Sequence, residues 1–240
     1  MPYRRLPNTD SARIRAMKSA LDKGDKIHPF KLAYNQDIYV KIKSFLPQFE
    51  KAVLSQKQAL SLQATRNKAY LNLMSKAQMY LSHFVQVLNF AILREEQPKS
   101  IRQYFGLNIN DKRVPSLNTE EEIIEKGRLI IEGERKRTQE GKNPLLNPSI
   151  SLVKIHYEKF TEAYRYQKQL KENSYKAQLK VASLRMKADQ LILDVWNQVE
   201  KYHENYNPAQ KRMFATEYGL VYIFRKNEKK EKENMFQLSA

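Results

Sequence analysis

From Phe49 to Leu93 apolar residues recur at alternating spacings of three and four, and no glycine or proline interrupts them. Phe49, Ala52, Ala59, Tyr70, Leu73, Ala77, Leu81, Phe84 and Leu88 fall on one face at that period, and Ile38, Ile42 and Phe45 extend it upstream. Such a face predicts a long amphipathic helix packed against a partner helix. The pattern returns at an offset of 111 residues: Phe49, Ala52 and Gln56-Lys57-Gln58 reappear as Phe160, Ala163 and Gln167-Lys168-Gln169, and Leu73, Lys76 and Ala77 as Leu184, Lys187 and Ala188. Both segments then leave through similar exits, Tyr104-Phe105-Gly106-Leu107 and Glu217-Tyr218-Gly219-Leu220. Internal duplication is the economical reading, against the simpler one that two helices of like composition resemble each other.

The predicted order of elements follows from the punctuation. Residues 1–34 read as an extended arm followed by a short helix, Ser11 to about Lys23, capped by Asp10 or Thr9 and ended by Gly24. Residues 35–110 hold the first long unit, opened by Asn35, with a kink or break expected at Pro47. Residues 111–147 form a connector carrying a helix over 119–139, where Thr119 and Glu122 have capping-box spacing. Residues 148–224 hold the second long unit, with Asn147-Pro148 as cap and first-turn proline and a turn at Asn207-Pro208. A hairpin at 61–67 or 172–174 would halve each long helix, but the apolar face keeps its phase across both points, which favours continuous helices. Leu220 to Phe224 has strand character and suggests a small pair with Leu107-Asn108-Ile109, while 225–240 reads as a charged tail. The predicted fold is all-α: an internally duplicated long-helix bundle of two long antiparallel units with shorter helices laid against them, forming one compact domain.

Charge changes this picture most. Lys and Arg outnumber Asp and Glu by 43 to 26, a formal net charge of +17. A field of that sign favours anionic partners, an acidic protein or a nucleic acid, although Lys-rich solvated helix faces would produce the same composition. The sequence has no cysteine, which removes disulfides, thiolate chemistry and Cys-bound metals and fits a reducing cytoplasm. The most apolar window, Tyr80 to Leu93, is too short and too polar to span a bilayer, so the reading is a soluble cytoplasmic protein. The opening Tyr3-Arg4-Arg5-Leu6-Pro7-Asn8-Thr9-Asp10, with Ala12-Arg13, resembles a set of uncharacterised bacterial all-helical proteins that begin with the same segment. That resemblance covers a small part of the chain and implies no activity.

Catalytic chemistry is hard to assemble from these residues. The four histidines are scattered, no Gly-rich phosphate loop or nucleophile elbow occurs, and Glu200-x-x-His203 has di-metal spacing without a second copy. The expectation is a non-enzymatic protein with no catalytic residues, cofactor or metal. Candidate anion contacts are Arg4, Arg5, Arg13 and Arg15 near the N-terminus, which should add to one positive surface. Arg165, Lys168 and Lys176 join them, interleaved with Tyr164, Tyr166 and Tyr175. Gln56 and Gln167 occupy equivalent polar positions in the apolar faces and are expected to fix register, close to each other or to a second copy in a homo-oligomer. These features point to an interaction or scaffold protein for an anionic partner, with a sequence-tolerant nucleic-acid binder as the alternative.

Overall fold

The computed structural model describes residues 2–224; the charged tail lies outside them from Arg225 onward. The described chain is all-α apart from one short strand pair. In order it forms β1 (Tyr3–Arg4), α1 (Asp10–Lys26), α2 (Gln36–Leu93), α3 (Glu120–Gln139), α4 (Ile150–Tyr202), α5 (Pro208–Thr216) and β2 (Tyr222–Ile223), with 3-10 turns at Pro29–Lys31 and Lys99–Phe105. Both long helices are continuous, α2 over 58 residues and α4 over 53, and neither makes the hairpin weighed above. Pro47 does not end α2. It lies on an exposed face, so water can reach the Lys43 carbonyl that proline leaves without its N–H partner.

Other boundaries moved for local reasons. Thr9, rather than Asp10, caps α1 by accepting from Ala12 N–H. The helix runs on through Gly24 to Lys26, and Gly24 serves packing, since a Cβ there would sit 2.8 Å from the Tyr39 ring. The capping box of α3 is formed as expected, Thr119 accepting from Glu122 N–H while the Glu122 carboxylate accepts from Thr119 N–H. Asn147-Pro148 does not cap α4. Asn147 has φ of 60° and the helix begins at Ile150, with the Ser149 carbonyl accepting from Leu152 and Val153. Asn207 caps α5 through Gln210 N–H with Pro208 in the first turn. The strand partner also differs from expectation: β2 pairs antiparallel with β1 of the N-terminal arm, Tyr3 opposite Ile223 and Arg4 opposite Tyr222. Leu107 to Ile109 form no strand. The Asn108 carbonyl instead accepts from the Arg102 side chain at 2.8 Å.

The chain divides into two compact units that do not follow the 35–110 and 148–224 segments: Met1–Gln58 with Tyr175–Ala240, and Ala59–Ser174. Each takes half of α2 and half of α4, and in each the two halves run antiparallel. In the first unit Asn35 meets Gln198 and Lys187 lies over Phe45; in the second Tyr80 stacks on His156 and Gln63 meets Ser174. The first unit's core joins Met17, Ile42, Phe49, Val181, Trp196 and Val199, and α1 reaches it through small residues, Ala16 and Ala20. The second unit's core joins Leu81, Phe84, Phe105, Ile123, Ile130 and Phe160.

Positions related by the 111-residue offset are buried alike in Ile42 and Val153, Phe49 and Phe160, Ala77 and Ala188, Phe84 and Val195, and Leu88 and Val199. The exits match as well. Gly106 and Gly219 have φ of 62° and 84°, and each N–H bonds the carbonyl three residues back, Gln103 or Thr216. The following leucine bonds the carbonyl five back, Arg102 or Ala215. Left-handed backbone after a helical turn is where glycine carries no Cβ penalty.

Candidate anion-binding site

The residues that carry the N-terminal resemblance form β1, the rim of a cleft and the cap of α1, all in the first unit. From them the structure separates the four candidate arginines into two kinds. Arg13 grips Asp189 of α4 with two hydrogen bonds, 2.7 and 2.9 Å, and lies 3.6 Å from Asp10. Asp10 in turn receives two bonds of 2.8 Å from Arg185, and that hydrogen bonding holds its carboxyl below the usual carboxylate range. Arg4 bonds Glu200 at 3.0 Å and Asn197 at 2.8 Å, with its guanidinium 5.9 Å above the Trp196 ring. Glu200 also accepts from the Tyr222 hydroxyl at 2.6 Å. Arg4 and Arg13 therefore clamp the arm and α1 to α4, and carboxylates neutralise them.

Arg5 and Arg15 are different. Both are exposed, and among the described residues neither side chain has a hydrogen-bond or ion-pair partner. Together they border a cleft of about 500 Å3 whose floor includes Ala16, Trp196 and Leu220, with Ser19 and Thr216 supplying hydroxyls. Leu6 and Val221, about half exposed, stand on its lip. The geometry can take an anionic group at the two guanidinia beside an apolar floor. The expected single positive patch of Arg4, Arg5, Arg13 and Arg15 is thus reduced to Arg5 and Arg15.

The remaining candidates lie elsewhere. Arg165 and Lys168 are exposed on the second unit's part of α4, where Lys168 lines a small cleft of about 230 Å3 with Tyr70, Glu120 and Tyr164. Tyr70 donates to Glu120, and its burial and that bond push its hydroxyl pKa up. Lys176 is exposed on the first unit's part of the helix. Gln167 is buried and its amide reaches Asn67 at 3.5 Å, while Gln56 is half-buried in the first unit. The close pairing of equivalent polar positions falls instead on Gln63 and Ser174, at 2.7 Å.

Glu200 and His203 do not share a ligand. Glu200 is held as described, and His203 sits among the rings of Tyr202, Tyr206 and Phe214 with both ring nitrogens buried and unbonded. Its burial lowers its pKa below the usual imidazole value. No group of three or more potential metal ligands occurs among the described residues, nor any helix long and apolar enough to cross a membrane.

Sequence reasoning missed Arg185, Asp189 and Trp196, which decide what Arg4, Arg13 and Arg15 can do. The one available signal was reciprocal order: Asp10-x-x-Arg13 can face Arg185-x-x-x-Asp189, acid to base and base to acid, over one helical turn. No protein-family model, curated protein or solved structure matches the chain.

Proposed function

We propose that this chain is a non-enzymatic helical interaction protein, acting in the cytoplasm, whose first unit receives an acidic segment of a partner protein at the cleft bordered by Arg5 and Arg15. The observation that carries this reading is the pair of unneutralised guanidinia beside the apolar floor, in a unit where Arg4, Arg13 and Arg185 are all matched to carboxylates. Guanidinia present a planar fork of donors suited to carboxylates, and the excess of basic over acidic residues steers such a partner. We further propose that the body is an internal duplication. The in-phase burial at offset 111, the paired glycine exits and the Gln63–Ser174 contact between equivalent positions support it.

A second reading, sequence-tolerant nucleic-acid binding, is favoured by Tyr166, 45% exposed between Arg165 and Lys168. One experiment separates them: fluorescence anisotropy of labelled Asp/Glu-rich peptide, random-sequence DNA and random-sequence RNA over a salt series. The peptide is expected to bind, and the double variant Arg5→Ala/Arg15→Ala to weaken it by about tenfold, from two lost charge-assisted contacts partly screened by solvent. Peptide affinity unchanged in that variant overturns the cleft assignment. Nucleic acid bound with a salt slope of several phosphate contacts, and sensitive to Arg165→Ala/Lys168→Ala, moves the function to the alternative.

A further inference from the structure

The second unit contains two arginines withdrawn from solvent, and only one of them is neutralised. Arg137, 1% exposed, bonds both oxygens of the equally buried Glu134. Arg102, 3% exposed, bonds only neutral oxygens: Asn89 Oδ1 and the carbonyls of Asn108 and Arg113. A guanidinium has five N–H donors, so those three bonds leave two without an acceptor. Among the described residues no carboxylate pairs with Arg102. The nearest in effect, Asp111, already accepts from the backbone and the side chain of Arg113. A buried cation whose nearest counter-charge, Asp111, is bonded to another arginine is costly, and a bound anion would reduce the cost.

Arg102 also lines an open cleft of about 460 Å3 between the end of α2 and the 107–113 loop, a size usual for small-molecule sites. Lys99 and Lys112 add two more cations at its edge. The lining also has an apolar part open to solvent, with Phe90 55% and Leu93 70% exposed and Ile109 half-exposed beside the same cleft. Two acids, Glu95 and Asp111, also lie on the rim, which penalises a multiply charged ligand while leaving an excess of one cation. The lining thus combines an excess positive charge that suits a single negative group with apolar side chains that suit an aliphatic or aromatic body.

We propose that this cleft binds a small amphiphilic monoanion, a carboxylate carried on an apolar chain, with Arg102 receiving the carboxylate and Phe90, Leu93 and Ile109 covering the chain. The site shares no residue with the arginine cleft of the first unit, so either can fail alone.

The test is a titration of the full chain, labelled with 15N, with sodium octanoate, followed by amide chemical shifts and repeated with octan-1-ol. Octanoate is expected to shift amides in 89–113 saturably, and to bind about tenfold more tightly than the alcohol, as one charge-assisted contact requires. Ile109→Asp, at a half-exposed loop position, is expected to weaken octanoate by about tenfold through loss of apolar cover and charge repulsion. Lys112→Glu is expected to weaken it severalfold, and Arg102→Met to abolish the preference over the alcohol. Should Arg102→Met fail to fold, Ile109→Asp and the alcohol comparison decide the matter. The proposal is overturned if octanoate produces no saturable shifts in 89–113, if octan-1-ol binds as tightly, or if Ile109→Asp leaves the affinity unchanged.

Discussion

In the first unit Asp10, Arg13, Arg185 and Asp189 form an open chain of ion pairs between α1 and α4, ending at an Asp189 side chain that is 45% exposed. In the second unit α3 precedes α4 in the chain, as α1 precedes α2 in the first. Its charges turn inward there: Glu134 and Arg137 are 0% and 1% exposed, and they also hold the Leu145 N–H and the Asn143 carbonyl. The first network runs between two helices and the second pair lies one turn apart within α3, and they differ also in burial, since Asp10, Arg13 and Asp189 keep 16%, 12% and 45% exposure. A network that ends at an exposed carboxylate can return that charge to water when its partner is lost, whereas in a fully buried pair neither member can be left alone.

The comparison is broken most strongly at Glu134. Glu134→Ala should strand the Arg137 guanidinium, one nitrogen of which is already buried without a partner, and cost about 3–5 kcal/mol in urea unfolding. Arg13→Ala in the first unit should cost less, about 1–2 kcal/mol, because Asp189 is 45% exposed and can be rehydrated while Asp10 keeps Arg185. The double Glu134→Ala/Arg137→Met should recover much of the first loss. Equal costs at the two pairs would show that the units do not differ in the way their burial indicates.

Second in size is Gly133→Ala. A Cβ there would sit 2.7 Å from the Tyr104 carbonyl carbon, against backbone that side-chain rotation cannot clear. The change should cost about 2–3 kcal/mol despite alanine's better helix propensity. Gly24→Ala in the first unit meets the Tyr39 ring and the Tyr34 hydroxyl, which are side-chain atoms, so its cost should be clearly smaller in the same melts. A reversed order would mean that α3 does not lie on the Tyr104–Gly106 turn as closely as described.

A third test is pH-gated and acts through His203 in the first unit, with His156 in the second, also lowered by burial, adding in the same direction. Burial depresses the His203 pKa; of the charges on and just after α5 that act on it, Glu217 raises the value and Lys211 lowers it. Above the unfolded value of about 6.5 the imidazole is neutral in both states and the full stability is present. As pH falls, the unfolded chain takes up the proton first, and stability is lost until the lowered folded pKa is passed. Wild-type melts should therefore weaken as pH falls through about 6.5, and His203→Phe should reduce that slope while leaving the part due to His156. Asp10 does not confuse the result, since its depressed carboxyl stays ionised over that range and releases its contribution only on stronger acidification, below about pH 3.9.

Local signals were readable from the sequence and non-local ones were not. The Thr119–Glu122 box, the Asn207-Pro208 start and the unbroken phase of both long helices depend on neighbours within a turn or two, and the structure keeps all three. The partner of β2 depends on where the N-terminal arm lies, 218 residues away for Arg4 and Tyr222, hence the wrong strand was expected. Gly24 and Pro47 look like stops by propensity, but tertiary packing around Tyr39 and an exposed helix face override them. At the candidate site Arg4, Arg5, Arg13 and Arg15 are indistinguishable as letters. Only the positions of Asp189 and Glu200 on α4 decide which two remain unneutralised.

The smallest expected effects concern the two glutamines, equivalent by offset yet placed differently. Gln167 is 3% exposed, but its one bond, to an exposed Asn67, is long at 3.5 Å. Gln56 is half-buried with no hydrogen bond among the described residues. Gln167→Leu removes a weak bond and leaves behind an amide that water can reach, so no stranded donor or acceptor offsets the apolar gain. A change within about 0.5 kcal/mol follows, and Gln56→Leu should be as mild. Gln63→Leu is the sharper probe, because Ser174 is buried and its 2.7 Å bond to Gln63 is short, although Ser174 retains the Lys171 carbonyl as acceptor. Its cost should be near 1 kcal/mol, and Gln63→Leu/Ser174→Ala should cost less than the sum of the singles. If Gln56→Leu and Gln167→Leu instead cost well over 1 kcal/mol and couple to each other, those two amides set the register. If all four changes add independently, no polar pair along the long helices does so.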